Sequence, residues 1–279
     1  VGGPAEVLSR PADKDDLQAF LAETPNDVSV TVLGVGSNTL IRDGGIPGVS
    51  VRLGDGFSEI SVDGNAIRTG AGTPNLKLAN AARDHSLTGF EFLSGIPGAL
   101  GGSIRMNAGA FGGETSESVR SVTALTRSGE KITLDHGDLG FSYRHTNSDP
   151  DLIFVSAELS GEPGSRDDIS ARMADIQTER ETSQPQKQAT GGSTFVNPDG
   201  MKAWELIDQA GCRGLKRGDA QVSEKHCNFL INLGDATAAD IEGLGEEVRR
   251  KVHDHSGVLL EWEIKRIGQH AVSGPREVS

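Results

Sequence analysis

The chain has 279 residues, with 27 Lys+Arg against 40 Asp+Glu, a formal net charge of −13, and 35% hydrophobic but only 4% aromatic residues. That length exceeds one small core and predicts two or three domains, while the few aromatics exclude a large aromatic core. The acidic balance excludes the basic surface that non-specific nucleic-acid binding needs, and no apolar run approaches the roughly 20 residues of a membrane-spanning helix. The first residues, from Val1, carry no signal-peptide pattern. Cys212 and Cys227 form neither a CxxC pair nor a disulfide framework. The expectation is a soluble protein of a reducing compartment, the cytoplasm, with both cysteines as small buried residues.

In chain order, Asp13 to Glu23 predicts a short helix with Leu17, Phe20 and Leu21 on one face. Val28 to Val35 and Val49 to Leu53 predict strands. Ile60 to Thr69 reads as a hairpin turning at Asp63-Gly64-Asn65. Pro74 to His85 reads as a helix, with proline where the first turn tolerates it. A long glycine-studded stretch, Gly89 to Gly113, comes next. Val119 to Leu134 is a second hairpin, turning at Ser128-Gly129, and Leu152 to Ser160 a strand. The stripe Ile169, Met173 and Ile176 predicts a helix over Arg166 to Gln184, stopped by Pro185. The polar run Gln184 to Thr190 is taken as a domain junction. Beyond it come a helix over Met201 to Ala210 closed by Gly211, and a strand over His226 to Asn232. A helix over Thr237 to His253 and a closing strand over Val258 to Ile267 complete the pattern, and the tail Gln269 to Ser279 is expected to fray. No regular βαβ series appears, so the fold class is α+β rather than a doubly wound parallel sheet.

Two stretches carry chemistry. Gly34-Val35-Gly36-Ser37-Asn38 directly follows a predicted strand, and glycines there let successive N–H groups cradle phosphate oxygens. Thr39 occupies the third glycine position, so this is not a dinucleotide fingerprint. The second stretch, Glu91 to Glu114, is costly to order. Its aliphatic residues Ile96, Leu100, Ile104 and Met106 argue against a disordered linker and for a backbone that lies along a ligand. His253-Asp254-His255 is not a metal site, because residues two apart on a helix diverge; no metal is expected.

Several motifs taken together resemble one family. Leu33-Gly-Val-Gly-Ser-Asn-Thr-Leu40, Ser94-Gly-Ile-Pro-Gly98, Met106-Asn-Ala-Gly-Ala110, Tyr143-Arg144, Gly192-Ser193-Thr194-Phe195-Val196-Asn197-Pro198, Gln221 to His226 and Glu261-Trp262-Glu263-Ile264-Lys265 occur in order along the chain. In this they are similar to the UDP-N-acetylenolpyruvoylglucosamine reductases, the MurB family. The resemblance implies an FAD-binding fold of the vanillyl-alcohol-oxidase/PCMH type, made of two α+β subdomains, with a C-terminal α+β substrate-binding domain. It places the FAD subdomains at 1–55, closed by 262–279, and at 56–184, and the substrate domain at 185–261. The chain departs from the family pattern at Val35, usually glycine, and at Lys265, usually arginine. Tyr143 is its only tyrosine, so it resembles the branch without the extra tyrosine loop. The family also carries a further segment before the Val1-Gly2-Gly3-Pro4-Ala5 motif.

The implied chemistry is NADPH-dependent reduction of UDP-N-acetylglucosamine enolpyruvate to UDP-N-acetylmuramate. Hydride passes from NADPH through FAD to the enolpyruvyl CH₂, and an acid then protonates the neighbouring carbon. Ser193 matches the family's proton donor, Arg144 its active-site arginine and Glu263 its C-terminal glutamate. On an alternating strand Glu261, Glu263 and Lys265 share one face and Trp262 and Ile264 the other. Implied cofactor contacts are Gly34, Gly36, Ser37, Asn38, Ser94, Gly95, Ile96, Pro97, Gly98, Gly101, Gly102, Asn107, Gly109 and Ala110. Implied substrate contacts are Tyr143, Asn197, Lys265, Arg180 and His226, the last equally readable as a core histidine. FAD is expected to be non-covalent, since neither loop holds a histidine or cysteine. The protein is expected to be a monomer. Two other readings stay open: another FAD-dependent oxidase or dehydrogenase of the same superfamily acting on a sugar or hydroxy acid, and a non-catalytic nucleotide-sugar-binding protein.

Overall fold

The computed structural model describes residues 1–185 and 188–271, and its chain divides into two compact units. Gln186 and Lys187 of the predicted junction, and Val272 to Ser279 of the predicted tail, lie outside the described residues.

The unit formed by Leu8–Val35 and Val51–Thr182 is built on a five-stranded antiparallel sheet. Its order is Lys131–Asp135, Val119–Leu125, Ile153–Ser160, Ala66–Gly70, Ile60–Asp63. Both predicted hairpins are present at its two edges, paired Ser61↔Arg68 and Thr123↔Thr133. The central strand Ile153–Ser160 is the most apolar and the most buried. The helix Asn75–Asp84 buries Leu78, Ala79 and Ala82. They join a core containing Ile67, Phe90, Leu93, Leu100, Ile104, Val122 and Leu159. Each such aliphatic or aromatic side chain contributes about 1.5–3 kcal/mol by leaving water. The helix Lys14–Glu23 starts where the Asp13 carboxylate accepts from the Asp16 N–H, satisfying one orphan donor of the first turn. The run Val28 to Val35 is a strand only over Val30–Leu33, because the Val28 N–H turns back to the Pro25 carbonyl at 3.1 Å.

The other unit comprises Val1–Val7, Gly36–Ser50 and the chain from Ser183 onward. Its antiparallel sheet has the order Ala189–Ser193, Phe229–Asn232, Ala220–Val222, Lys216–Arg217. A separate parallel pair joins Lys265–Ile267 to Thr39–Ile41. The helix Ala238–Ser256 is legible from its ends. Thr237 caps it reciprocally with Asp240, Asp43 accepts from the N–H groups of Ala238 and Ala239, and Gly257 closes it at φ 74. Its face Leu244, Val248 and Val252 packs with Leu40, Phe195, Ile207, Val222 and Ile264, and both cysteines are buried in this core.

Three predicted elements of this unit are corrected. The helix expected over Met201 to Ala210 spans Ala203–Gln209, because Pro198 and Met201 form a turn ahead of it. The strand expected from His226 begins at Phe229, since Ser223 to Asn228 coil around the Ser223 hydroxyl. The closing strand shrinks to Lys265–Ile267. Upstream of it a single bridge, Phe195↔Trp262, replaces a ladder. The α+β fold class holds. Among the described residues no helix is long and apolar enough to cross a membrane.

Candidate active site

In the second unit described, two glycines shape the chain ahead of Ser193. The strand Ala189–Ser193 pairs with Phe229–Asn232 but shifts register between Thr190 and Ser193. Gly192 lies at φ 82, and a Cβ on Gly191 would come within 3.0 Å of the Ile264 side chain. The irregularity re-aims the half-buried Ser193 at the strand end, as bulges do. Thr194 is the next residue, buried, and its carbonyl accepts from the Glu263 N–H at 2.8 Å. The Glu263 carbonyl in turn accepts from the Asn38 side-chain amide at 3.1 Å, and the Asn38 carbonyl accepts from the Lys265 N–H at 3.1 Å. Asn38 thus ties the end of the first glycine loop to Glu263, and Thr194 ties Glu263 to the residue after Ser193. Glu263 is half-buried and Lys265 exposed, so their alternation with buried Ile264 survives although residues 258–264 are not a strand.

Asn228 is a contributor that the sequence reading missed. Buried, it accepts from the Phe195 N–H at 2.9 Å and donates to the Phe195 carbonyl at 2.8 Å, fixing the backbone two residues past Ser193. Asn228 lies two residues beyond the matched run Gln221 to His226, and the burial that makes such partners necessary is a property of the fold. Asn197 caps the next helix, its Oδ1 accepting from the Ala203 N–H at 2.9 Å. His226 sits between the rings of Trp204 and Phe229, and burial lowers its pKa below the ordinary histidine value. The ring is therefore neutral at pH 7, and its Nδ1 accepts from the Asn228 N–H.

In the first unit described, the long glycine stretch folds as ordered backbone. Buried Glu91 fixes its start by accepting from the Thr88 hydroxyl and the Gly89 N–H. The Ser94 hydroxyl donates to the Glu91 carbonyl at 2.7 Å, so its proton is committed. Asn75 organises the loop: its side-chain amide donates to the Ile96 carbonyl at 3.1 Å and exchanges hydrogen bonds with the Ser103 hydroxyl, while its own N–H reaches the Gly98 carbonyl at 3.0 Å. Gly98 lies at φ 143, next to exposed Pro97. The Gly101 N–H bonds to Ala71. Asn107, buried at φ 43, spends both ends of its amide on the Ser142 carbonyl and the Ser116 N–H. Gly109 and Ala110 form one side of a small hairpin with Gly113 and Glu114. Arg144, also left-handed at φ 56, donates from Nη2 to the Gly109 carbonyl at 2.6 Å and lies over the exposed Tyr143 ring. Arg180 comes from the helix Arg166–Ser183; its Nε is buried without a hydrogen bond, and burial lowers its pKa.

The glycines give a direct test of whether the first loop and the start of the helix Leu100–Arg105 suit a flavin nucleotide. A Cβ built on Gly34, Gly36 or Gly102 meets nothing within 4 Å. The backbone at these points faces open space, and Gly36 needs glycine for its φ of 78. Neutral N–H donors on such backbone suit a pyrophosphate in a chain this acidic. The residues fit the group.

Comparison with known proteins is consistent with this geometry. Residues 5–135 match the model of an FAD-binding domain family, and residues 184–267 match the C-terminal domain of UDP-N-acetylenolpyruvoylglucosamine reductase. A reductase of that name from Methylorubrum extorquens is 57% identical over 97% of this chain and 88% of its own length. Its namesake in Paramagnetospirillum magneticum is 59% identical over 96% of this chain and 87% of its own length. The crystal structure of the Thermus caldophilus reductase superposes with a TM-score of 0.85 at 34% identity, covering 96% of this chain and 94% of that one.

Proposed function

The chain belongs to the UDP-N-acetylenolpyruvoylglucosamine reductase family, and from that premise we propose that Ser193, Glu263 and Arg144 carry its reaction, with non-covalent FAD and with NADPH as electron donor. It is an FAD-dependent oxidoreductase of peptidoglycan precursor synthesis. The substrate is UDP-N-acetylglucosamine enolpyruvate and the product UDP-N-acetylmuramate. When bound, FAD supplies the hydride that adds to the enolpyruvyl CH₂. The chain's own residues then manage charge and one proton. Ser193 Oγ holds the proton that goes to the carbon beside the substrate carboxylate. A serine hydroxyl is a weak acid, so it must be held close to that carbon and its neighbours must be fixed. Arg144 presents a planar fork that matches the carboxylate and shares the charge developing there. Glu263 orients the charge around the serine.

Gly34, Gly36, Ser37, Asn38, Ser94 to Gly98, Gly101, Gly102, Asn107, Gly109 and Ala110 would hold the cofactor, most of them through backbone groups. Tyr143, Arg180, Asn197, His226 and Lys265 would contact substrate. On this reading 1–55 with 262–279 and 56–184 serve the flavin, 185–261 serves the substrate, and the protein works as a cytoplasmic monomer. The observation that carries the proposal is the run of bonds Asn38 to Glu263 to Thr194, which joins the first glycine loop, the glutamate and the residue beside Ser193. The test is NADPH consumption by the flavin-loaded protein with the enolpyruvyl substrate. The proposal expects one UDP-N-acetylmuramate per NADPH. Substrate-independent NADPH oxidation with hydrogen peroxide as the sole product would contradict it.

A further inference from the structure

Trp262 immediately precedes Glu263, and its ring lies at the centre of an ionic clamp. The indole Nε1–H donates to the Glu246 carboxylate at 2.8 Å. The Arg266 guanidinium lies over the ring, 4.5 Å from its centroid, and also donates to Glu246 at 3.0 Å and Glu242 at 3.1 Å. Fully buried Phe195 packs against the same ring with centroids 5.1 Å apart. The ring rests directly on the helix Ala238–Ser256 at Gly245, where a Cβ would come within 2.2 Å of it. Glu246 also accepts from Arg249, which donates to the Leu260 carbonyl. Glu242 accepts both arms of Arg42, which stands four residues beyond Asn38 and also holds the Gly268 carbonyl.

A ring held at its N–H, on its face and at its edge leaves the backbone that carries it little freedom. That backbone is the segment bonded to Ser193's neighbours. Val196 N–H bonds to the Glu261 carbonyl at 2.9 Å, Glu263 N–H to the Thr194 carbonyl at 2.8 Å, and Phe195 bridges Trp262. A tryptophan on a half-buried edge would pack without any of the charged partners. The charged partners instead fix it to the long helix and, through Glu242 and Arg42, to the strand after the first glycine loop.

We infer that Trp262 is a positioning residue, whose indole, clamped by Glu246 and Arg266, sets the placement of Glu263 beside Ser193. This rests on the proposed role of Ser193 in protonating the substrate. Displacement of a reacting group by a fraction of an ångström slows chemistry without weakening ground-state binding.

The test compares Trp262→Phe, Glu246→Ala and Glu246→Gln in the flavin-loaded enzyme. Trp262→Phe and Glu246→Ala should each lower kcat about tenfold, with KM for the UDP-sugar changed less than about twofold and flavin content unchanged. Glu246→Gln keeps an oxygen for the indole N–H and should recover most of the rate lost in Glu246→Ala. In a Ser193→Ala background, Trp262→Phe should add less than about twofold to the slowing of substrate-driven flavin reoxidation, because the proton donor that the positioned Glu263 serves is gone. A multiplicative effect in that background, or parallel losses in kcat and KM, would overturn the positioning role. Unchanged kcat in both Trp262→Phe and Glu246→Ala, beside a slowed Ser193→Ala, would overturn it while leaving the proposed function standing. A fully active Ser193→Ala would remove both. Should Trp262→Phe lose its flavin, the Glu246→Ala and Glu246→Gln pair decides alone.

Discussion

Gly95, Gly109 and Gly113 stand where a side chain would collide with Phe111, Glu114 and Phe92, whereas at Gly34 and Gly36 an added side chain would meet nothing within 4 Å. In sequence the two stretches look alike. In the fold, Gly95, Gly109 and Gly113 of the second bring its own chain together, and Gly34 and Gly36 of the first leave backbone open. The second is held by an interior of side-chain bonds, from Glu91 and Asn107 inside it and from Asn75 on the helix before it. The first has no such interior. Its far end is anchored through the adjoining strand, by the pairing of Thr39–Ile41 with Lys265–Ile267 and by the Arg42–Glu242 ion pair. Glycine density therefore marks two different physical requirements, close packing and ligand approach, and only the surroundings tell them apart.

The contrast can be broken by adding single methyl groups. Gly95→Ala places a Cβ 2.3 Å from the Phe111 ring and 2.8 Å from Ile176, with the residue already buried. Overpacking of this kind should destabilise the protein by about 3 kcal/mol, read from urea unfolding of the flavin-free chain. A loss below about 0.5 kcal/mol would show that the second stretch is not held by its packing. Gly34→Ala should do the opposite. With open space and an ordinary φ, it should leave flavin-free stability within about 0.5 kcal/mol but weaken FAD about tenfold, or about 1.4 kcal/mol, in a flavin-fluorescence titration. Unaltered FAD affinity would mean that no ligand approaches this backbone.

Glu242→Gln probes the external support of the first loop. The Arg42 guanidinium holds the Glu242 carboxyl below its ordinary pKa. A depressed folded-state pKa contributes stability that is present above the unfolded value near 4.5 and lost as pH falls through the folded one. Glu242→Gln should therefore cost about 1 kcal/mol at pH 7, and the difference from the parent should shrink away as pH falls below the unfolded value near 4.5 and through the lower folded-state one. A pH-independent difference would mean that the charge of Glu242 is not what supports the strand.

These residues also show what was legible in the sequence. The hairpins announced themselves through Asp63-Gly64-Asn65 and Ser128-Gly129, and the long helix through Thr237 and Gly257, because turns and caps are local. The motif residues Asn38, Ser193 and Glu263 were legible from their resemblance, and the fold of their unit bonds Asn38 to Glu263 and Glu263 to Thr194, the residue after Ser193. The segment 258–264 was misread because alternating burial arises there from one bridge and side-chain packing, without the ladder that normally produces it. The partner of the Trp262 indole was illegible in a different way. A half-buried tryptophan N–H calls for an acceptor, but nothing near Trp262 in sequence points to Glu246, sixteen residues earlier. Asn107 and Ser94 matched cofactor positions, but the Ser94 hydroxyl is spent on the loop itself and the Asn107 amide on the Ser142 carbonyl and the Ser116 N–H.

The claim that Ser193 delivers the proton is tested most directly by stopped-flow absorbance of the bound flavin in Ser193→Ala, with the two half-reactions measured apart. Reduction by NADPH needs no carbon protonation and should proceed within about twofold of the parent rate. Reoxidation by the enolpyruvyl substrate should slow by more than the roughly 10²–10⁴-fold typical of a positioned general acid, and Ser193→Cys should recover part of it. Equal slowing of both half-reactions would make Ser193 a residue that positions the cofactor, and no slowing of either would reduce it to the turn residue after Gly191 and Gly192.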